Sequence, residues 1–174
     1  MQNLLTTYNK ARNFQLCGDT LAARQEYQLL ARDFTQMSKT ELNLVQKQIY
    51  LIQAAVASYE GGQYQNARNL LQSVDTSMLD KKWYGILVNK SEHAKLRATA
   101  KWQADKAREL DNAIKKKNHR RILFILADCP YLMPCQLMAG LRVEACVGLE
   151  DHALAESFRR DEEALKAKYG QYGK

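Results

Sequence analysis

Apolar residues recur along this chain at steps of three and four, the spacing that lines one face of a helix. Residues 2–16 predict a first helix, with Leu5, Tyr8, Ala11 or Arg12, and Leu16 at that spacing. It ends at Cys17-Gly18-Asp19, where glycine supplies a left-handed stop. A second helix over 20–34 turns Leu21, Ala23, Tyr27, Leu30 and Phe34 inward. Ser38-Lys39-Thr40-Glu41 has the form of a capping box, a hydroxyl and a carboxylate each satisfying an orphan amide. It is expected to open a long third helix through Leu42, Val45, Ile49, Ile52 and Val56, stopped by Gly61-Gly62. A fourth helix follows from Tyr64 to Val74, and then a loop from Asp75 to Met78.

The stretch from Ser91 to Lys117 contains no Gly or Pro, and Leu96, Ala100, Ala107, Leu110 and Ile114 fall on one face. This predicts a single helix of roughly 27 residues, about 40 Å long at 1.5 Å per residue. Asn118-His119 is a candidate turn before a short helix over 120–128. Pro134 suits the first turn of the next helix, Gly148 ends it, and a last helix runs from Asp151 to Lys168. The tail from Tyr169 to Lys174 is expected to fray. No run alternates strictly as a half-buried strand would, and the compact apolar run from Ile122 to Ala127 fits a short buried helix. The fold class predicted is all-α.

The helices form helix-turn-helix units about Gly18, Gly62, Asn118 and Gly148, at irregular intervals. Around the first two turns the residue types resemble the tetratricopeptide repeat. With the family's turn glycine set on Gly62, Leu51 takes the large helix-A position. Ala55 takes the small one before the turn, Tyr64 the aromatic after it, and Ala67 the small helix-B position. With that glycine set on Gly18, Ala11 and Ala23 are the small residues and Phe14 and Tyr27 the aromatics. Small residues are needed where two helix backbones approach closely, and aromatics fill the adjacent holes. The resemblance covers residues 1–75; the family's Trp and terminal Pro are absent, replaced by Thr7 and Leu51 and by Thr35 and Leu79. It implies helix-turn-helix hairpins stacked as a short irregular α-solenoid, one helical-repeat domain over 1–174. Within it, 1–75 are the repeat-like pairs, 76–121 a basic helical segment and 122–174 a C-terminal hairpin. The same pattern also fits a one-off helical bundle joined by glycine turns.

The resemblance further implies a concave surface lined by the first helix of each pair, carrying Tyr8, Asn9 and Arg12 from the first unit and Ile52, Gln53 and Val56 from the second. Such grooves hold an extended peptide or a partner helix. The competing reading places Ile52 and Val56 in the core. The Lys and Asn cluster with which chaperone-binding members of the family clamp a C-terminal carboxylate is not present.

Composition adds one fact. The chain has 174 residues, 46% of them apolar, and a formal charge of +7; divided at 75/76 and 121/122, its segments carry +1, +8 and −2. The whole excess therefore belongs to the middle segment. On the predicted long helix, Lys90, Arg97, Lys101, Arg108 and Lys115 fall within about 40° of one another and form a stripe some 37 Å long. Lys116, Lys117, Arg120 and Arg121 add a dense patch at its end, with His119 among them. Such a row could follow a phosphate backbone or an acidic helix. It could equally be a solvated face, since Asp105 and Asp111 stand at pairing distance from Lys101, Arg108 and Lys115. For nucleic acid, exposed aromatics are also wanted, and Trp102 lies on the opposite flank. Trp83 and Tyr84 read as packing residues.

No cofactor, metal or catalytic set is expected. Cys17, Cys129, Cys135 and Cys146 include no Cys-x-x-Cys pair and read as buried thiols, and a zinc set with His152 lacks tight ligand spacing. His93, His119 and His152 are scattered, and no glycine loop follows a strand. No apolar run approaches the roughly 20 residues that cross a bilayer, and no signal pattern opens the chain. The expectation is a non-catalytic, cytoplasmic protein-protein interaction module or adaptor without membrane attachment. Its partner is a protein or peptide, an acidic one among the options. The alternative is binding of an RNA or DNA backbone through 90–121.

Overall fold

A computed structural model describes residues 2–170, with side chains from residue 4. It is all-α: among the described residues there are nine α-helices, one short 3-10 turn and no strand. The helices are α1 (Gln2–Leu16), α2 (Thr20–Thr40), α3 (Leu44–Glu60), α4 (Tyr64–Gln72), α5 (Lys81–Arg97), α6 (Ala100–Lys115), α7 (His119–Asp128), α8 (Cys135–Gly148) and α9 (His152–Tyr169). Local chemistry sets most of their starts. The carboxylates of Asp80 and Asp151 accept the amides of Trp83 and Leu154, and the Asn43 and Asn118 side chains accept those of Gln46 and Arg121. Gly18 and Gly62 sit at φ +80° and +73°, the left-handed region that a side chain disfavours, and so close the first two turns.

Three expected boundaries are corrected. Ser38 does not cap a helix: buried, it lies inside α2, and its hydroxyl donates to the Thr35 carbonyl at 2.7 Å. Asn43 takes the capping role, and Glu41 accepts the Asn43 amide at 2.9 Å. The single helix expected over Ser91–Lys117 is two helices, interrupted at Ala98 and Thr99. There the Thr99 hydroxyl donates to the Leu96 carbonyl at 2.8 Å and accepts the Trp102 amide at 3.2 Å, ending one helix and starting the next. Tyr169 closes α9 instead of fraying; residues 171–174 of the expected tail lie outside those described.

The chain parts into two compact units, residues 1–12 with 23–102, and residues 13–22 with 103–174. Each unit has its own apolar core. In the first, α5 packs on both α3 and α4, and Ile52, Ala55, Tyr59, Tyr64, Ala67, Leu71 and Leu87 are buried together. Ala11, Ala23, Ala55 and Ala67 are all fully buried, as close helix approach demands. Tyr27 packs under the Gly61 turn, and Phe34 stacks on Tyr50 at 6.3 Å.

In the second unit α8 packs on α7 and α9, around Leu110, Ala113, Ile122, Ile125, Leu126, Met138 and Ala145. Gly148 is required by close approach, since a Cβ there would overlap the His119 ring. His119 is thus packed against α8 and is not part of the basic surface.

Several residues expected inside are exposed: Leu5, Leu16, Leu21, Leu42 and Val45, and from the long-helix face Leu96, Ala100, Ala107 and Ile114. The last four share one face only on an unbroken helix, whereas Leu96 lies on α5 and the other three on α6. Leu87 and Ala94 in α5, and Leu110 and Ala113 in α6, are the residues buried. Among the described residues, no helix is long and apolar enough to cross a membrane.

Candidate functional site

The six expected groove residues separate into two environments. On α1, Tyr8, Asn9 and Arg12 are exposed, with Leu5 one turn earlier. The Tyr8 ring stands edge-on to the buried Tyr27 at 6.3 Å. Burial pushes the Tyr27 phenol up to about 12, with Glu60 and Tyr8 adding to it, so it stays protonated and apolar in character. On α3, Ile52 has no exposed surface and belongs to the core, and Val56 packs half-buried against that core. Ile52 is therefore unavailable to a partner, which corrects its groove assignment. Gln53 is half-buried, its amide oxygen enclosed without a hydrogen-bond partner among the described residues.

The expected basic stripe is broken up in the same way. Two of its members point into the first unit. Lys90 bonds Glu60 at 2.7 Å and lies 4.3 Å from the Tyr59 ring centre. The Arg97 guanidinium sits 5.1 Å from the Trp102 ring, 5.5 Å from Tyr59 and 5.9 Å from Tyr64. Cations over aromatic faces are held electrostatically by the ring quadrupole. Arg97 thus closes a box of three rings beside the helix break, its guanidinium held against the aromatics with its charge intact. Arg97→Ala is expected to cost about 1–2 kcal/mol of unfolding free energy and to change Trp102 emission. Lys101→Ala, at an exposed position, is expected to stay within about 0.5 kcal/mol. Urea titration followed by tryptophan fluorescence checks both; equal effects would remove the box as the cause.

In the second unit Arg108 pairs with Asp105 at 3.2 Å and Lys115 with Asp111 at 2.6 Å, each within one turn of α6. Such exposed pairs add little stability, but they neutralise their cations locally. Glu109 accepts Lys106 at 2.9 Å and also Arg121, and these two hydrogen bonds hold its carboxyl below the ordinary range. Lys116, Lys117 and Arg120 are exposed, and no carboxylate of the described residues pairs with them. Three cations without a carboxylate partner thus cluster at the α6–α7 turn, and of the stripe itself Lys101 is exposed and likewise unpaired among the described residues.

Chemistry of other kinds is sparse. Cys129, Cys135 and Cys146 are buried as expected, whereas Cys17 is exposed. Burial pushes the Cys135 and Cys146 thiols up, away from the reactive thiolate. Among the described residues no His, Cys, Asp or Glu cluster is arranged to hold a metal ion. One groove of about 470 Å³ is lined by Leu137, Gly140, Leu141, Glu144, Glu162 and Lys166, the last two paired at 2.7 Å. Another, of about 370 Å³, is lined by Gln28, Arg32, Thr35, Gln63 and Asn66. Neither lining brings a nucleophile to a general base.

Sequence reasoning missed one surface residue of consequence. Phe124, inside the run expected to be buried, is 56% exposed on α7, with the Arg121 guanidinium 4.9 Å from its ring centre. The signal was in the spacing: Ile122, Ile125 and Leu126 share a face that Phe124 does not. No family model matches the chain, and neither a curated protein nor a solved structure does.

Proposed function

We propose that this protein is a non-catalytic protein-binding module built of tetratricopeptide-like helical hairpins, presenting the outer face of α1 to a peptide or helix. The repeat-like reading draws support from the first unit. Ala55 and Ala67 are fully buried where α3 meets α4, and α5 docks on both helices of that hairpin. Each added helix packing on the previous pair is the geometry by which hairpins stack into a solenoid.

The observation that carries the binding role is the surface of α1. Leu5 is 64% exposed and Tyr8 39%, with Arg12 four residues after Tyr8 and Asn9 between them. A row of apolar and hydrogen-bonding side chains at helical spacing is what helix-in-groove and peptide recognition use. Tyr8 is anchored from below by Tyr27, so it is a stiff contact with little side-chain entropy to lose on binding.

A photo-crosslinking amino acid placed at Asn9 tests this in cells. A discrete adduct is expected, weakened about tenfold by Arg12→Glu and by Tyr8→Ala, as for residues central to an interface. The same crosslinker at exposed Ser73 should capture nothing. No adduct at position 9, or equal adducts at both positions, would reject the proposal.

A further inference from the structure

The α6–α7 turn joins a cluster of unneutralised cations to an exposed aromatic ring. Lys116 and Lys117 form the turn after α6, and Arg120 and Arg121 lie in the first turn of α7. Arg120 precedes Phe124 by four residues and Arg121 by three, so on a helix all three share one face. The ring is 56% exposed, and Arg121 is fixed beside it, tied on its far side to Glu109, which is itself bonded to Lys106 at 2.9 Å. Arg121 therefore positions the ring, while Lys116, Lys117 and Arg120 keep their charge for a ligand. The Asp128 carboxylate, one turn after Phe124, accepts the Cys129 thiol at 3.5 Å.

We infer that this turn is a binding site for single-stranded nucleic acid, Lys116, Lys117 and Arg120 contacting phosphates and Phe124 stacking on an unpaired base. Cations beside a solvent-facing aromatic are the two elements of sequence-tolerant single-strand binding: charge tracks the backbone, and the ring accepts any base face. A stacked duplex offers no free base face to Phe124, so the site favours single strands. An anionic membrane fits less well. Helices that lie in a lipid interface bury a whole apolar face, whereas Ile122, Ile125 and Leu126 of α7 are committed to the core and one ring is left outside. The site is independent of the α1 face, and either can fail without the other.

Fluorescence anisotropy of the full chain with a labelled oligouridylate, the matching duplex, and phosphatidylserine vesicles tests it. Single strands are expected to bind more tightly than duplex, with affinity falling as salt rises. Phe124→Ala is expected to weaken single-strand binding about ten- to a hundredfold; because the ring is exposed, the circular dichroism spectrum and urea midpoint should be unchanged. Changing Lys116, Lys117 and Arg120 together to Glu is expected to abolish binding at physiological salt. The milder triple change to Gln should lower the slope of log affinity against log salt by about 2, at about 0.7 per phosphate contact. Arg108→Gln, whose partner is Asp105, should alter affinity less than about twofold. The inference is overturned by absence of single-strand binding at low salt, by full affinity in Phe124→Ala, by a duplex bound as tightly as the single strand, or by vesicle binding without oligonucleotide binding.

Discussion

Ile52→Ala is expected to lower the unfolding free energy by about 2–5 kcal/mol, the cost of truncating a fully buried branched side chain and leaving a cavity. Ile52 has no exposed surface and lies among Ala55, Tyr59, Tyr64, Ala67 and Leu71. Its neighbours on α4 cannot collapse into the space without moving backbone, because the fully buried small residues Ala55 and Ala67 already bring α3 and α4 close together. A surface position in a binding groove would change stability by about 0.5 kcal/mol or less. Urea unfolding therefore separates the two roles that the repeat resemblance left open. A near-zero effect would return Ile52 to the groove. Ile52→Val should cost about 1 kcal/mol, retaining most of the packing.

The second large effect is expected at Asp19. This buried carboxylate accepts the Ala22 amide at 3.0 Å, Lys168 Nζ at 2.7 Å and the Tyr169 hydroxyl at 2.9 Å. It caps the start of α2 and fastens the last turn of α9 within the second unit. Asp19→Ala removes the cap, at about 1 kcal/mol, and two further hydrogen bonds, one of them to a half-exposed lysine whose contribution water reduces. The total is expected to be about 2–3 kcal/mol. Asp19→Asn keeps an acceptor for the cap and should cost roughly half as much.

The pH dependence has a definite sign. Burial alone would raise the Asp19 pKa, but the hydrogen bonds from Lys168, the Ala22 amide and Tyr169, with the charge of Lys168, bring it below its ordinary 3.8. Its stabilisation is therefore full above about pH 4 and is lost as pH falls through the lower folded value. The hydrogen bond to Asp19 raises Lys168 above its ordinary 10.5, so that contribution is full below this pH and is lost as pH rises through the higher folded value. The stability gap between the native chain and Asp19→Ala should be flat across neutral pH and shrink at both extremes. A gap that narrows between pH 5 and pH 9 would show that Asp19 is not held this way.

Much of the helical layout was legible in the residue order. The stops at Gly18 and Gly62, the turn at Asn118 and the start at Asp151 follow from backbone freedom and from side chains that bond amides a few residues away. The misreadings arose where two local rules competed. Ser38 and Glu41 had the spacing of a capping box, yet a helical serine can also bond the carbonyl a turn behind it, and in α2 it does. Thr99 had cap chemistry, yet the absence of Gly and Pro around it suggested an unbroken helix.

The candidate surfaces were less legible. Lys90, Arg97, Arg108 and Lys115 have similar side chains and shared one predicted wheel, but their partners divide them. Glu60 and Tyr59 draw Lys90 in, three rings enclose Arg97, and Asp105 and Asp111 neutralise the other two. Phe124 shows the converse, an apolar residue left outside on one side of α7, while Ile122 and Ile125, on another side of the same helix, meet the core. Residue order alone set helix content, most turns and the location of the net charge, because those depend on backbone torsions, nearby side chains and counting. Which apolar residues are buried, and which cations remain free, was decided only by tertiary packing, because burial and pairing depend on groups brought together from distant parts of the chain.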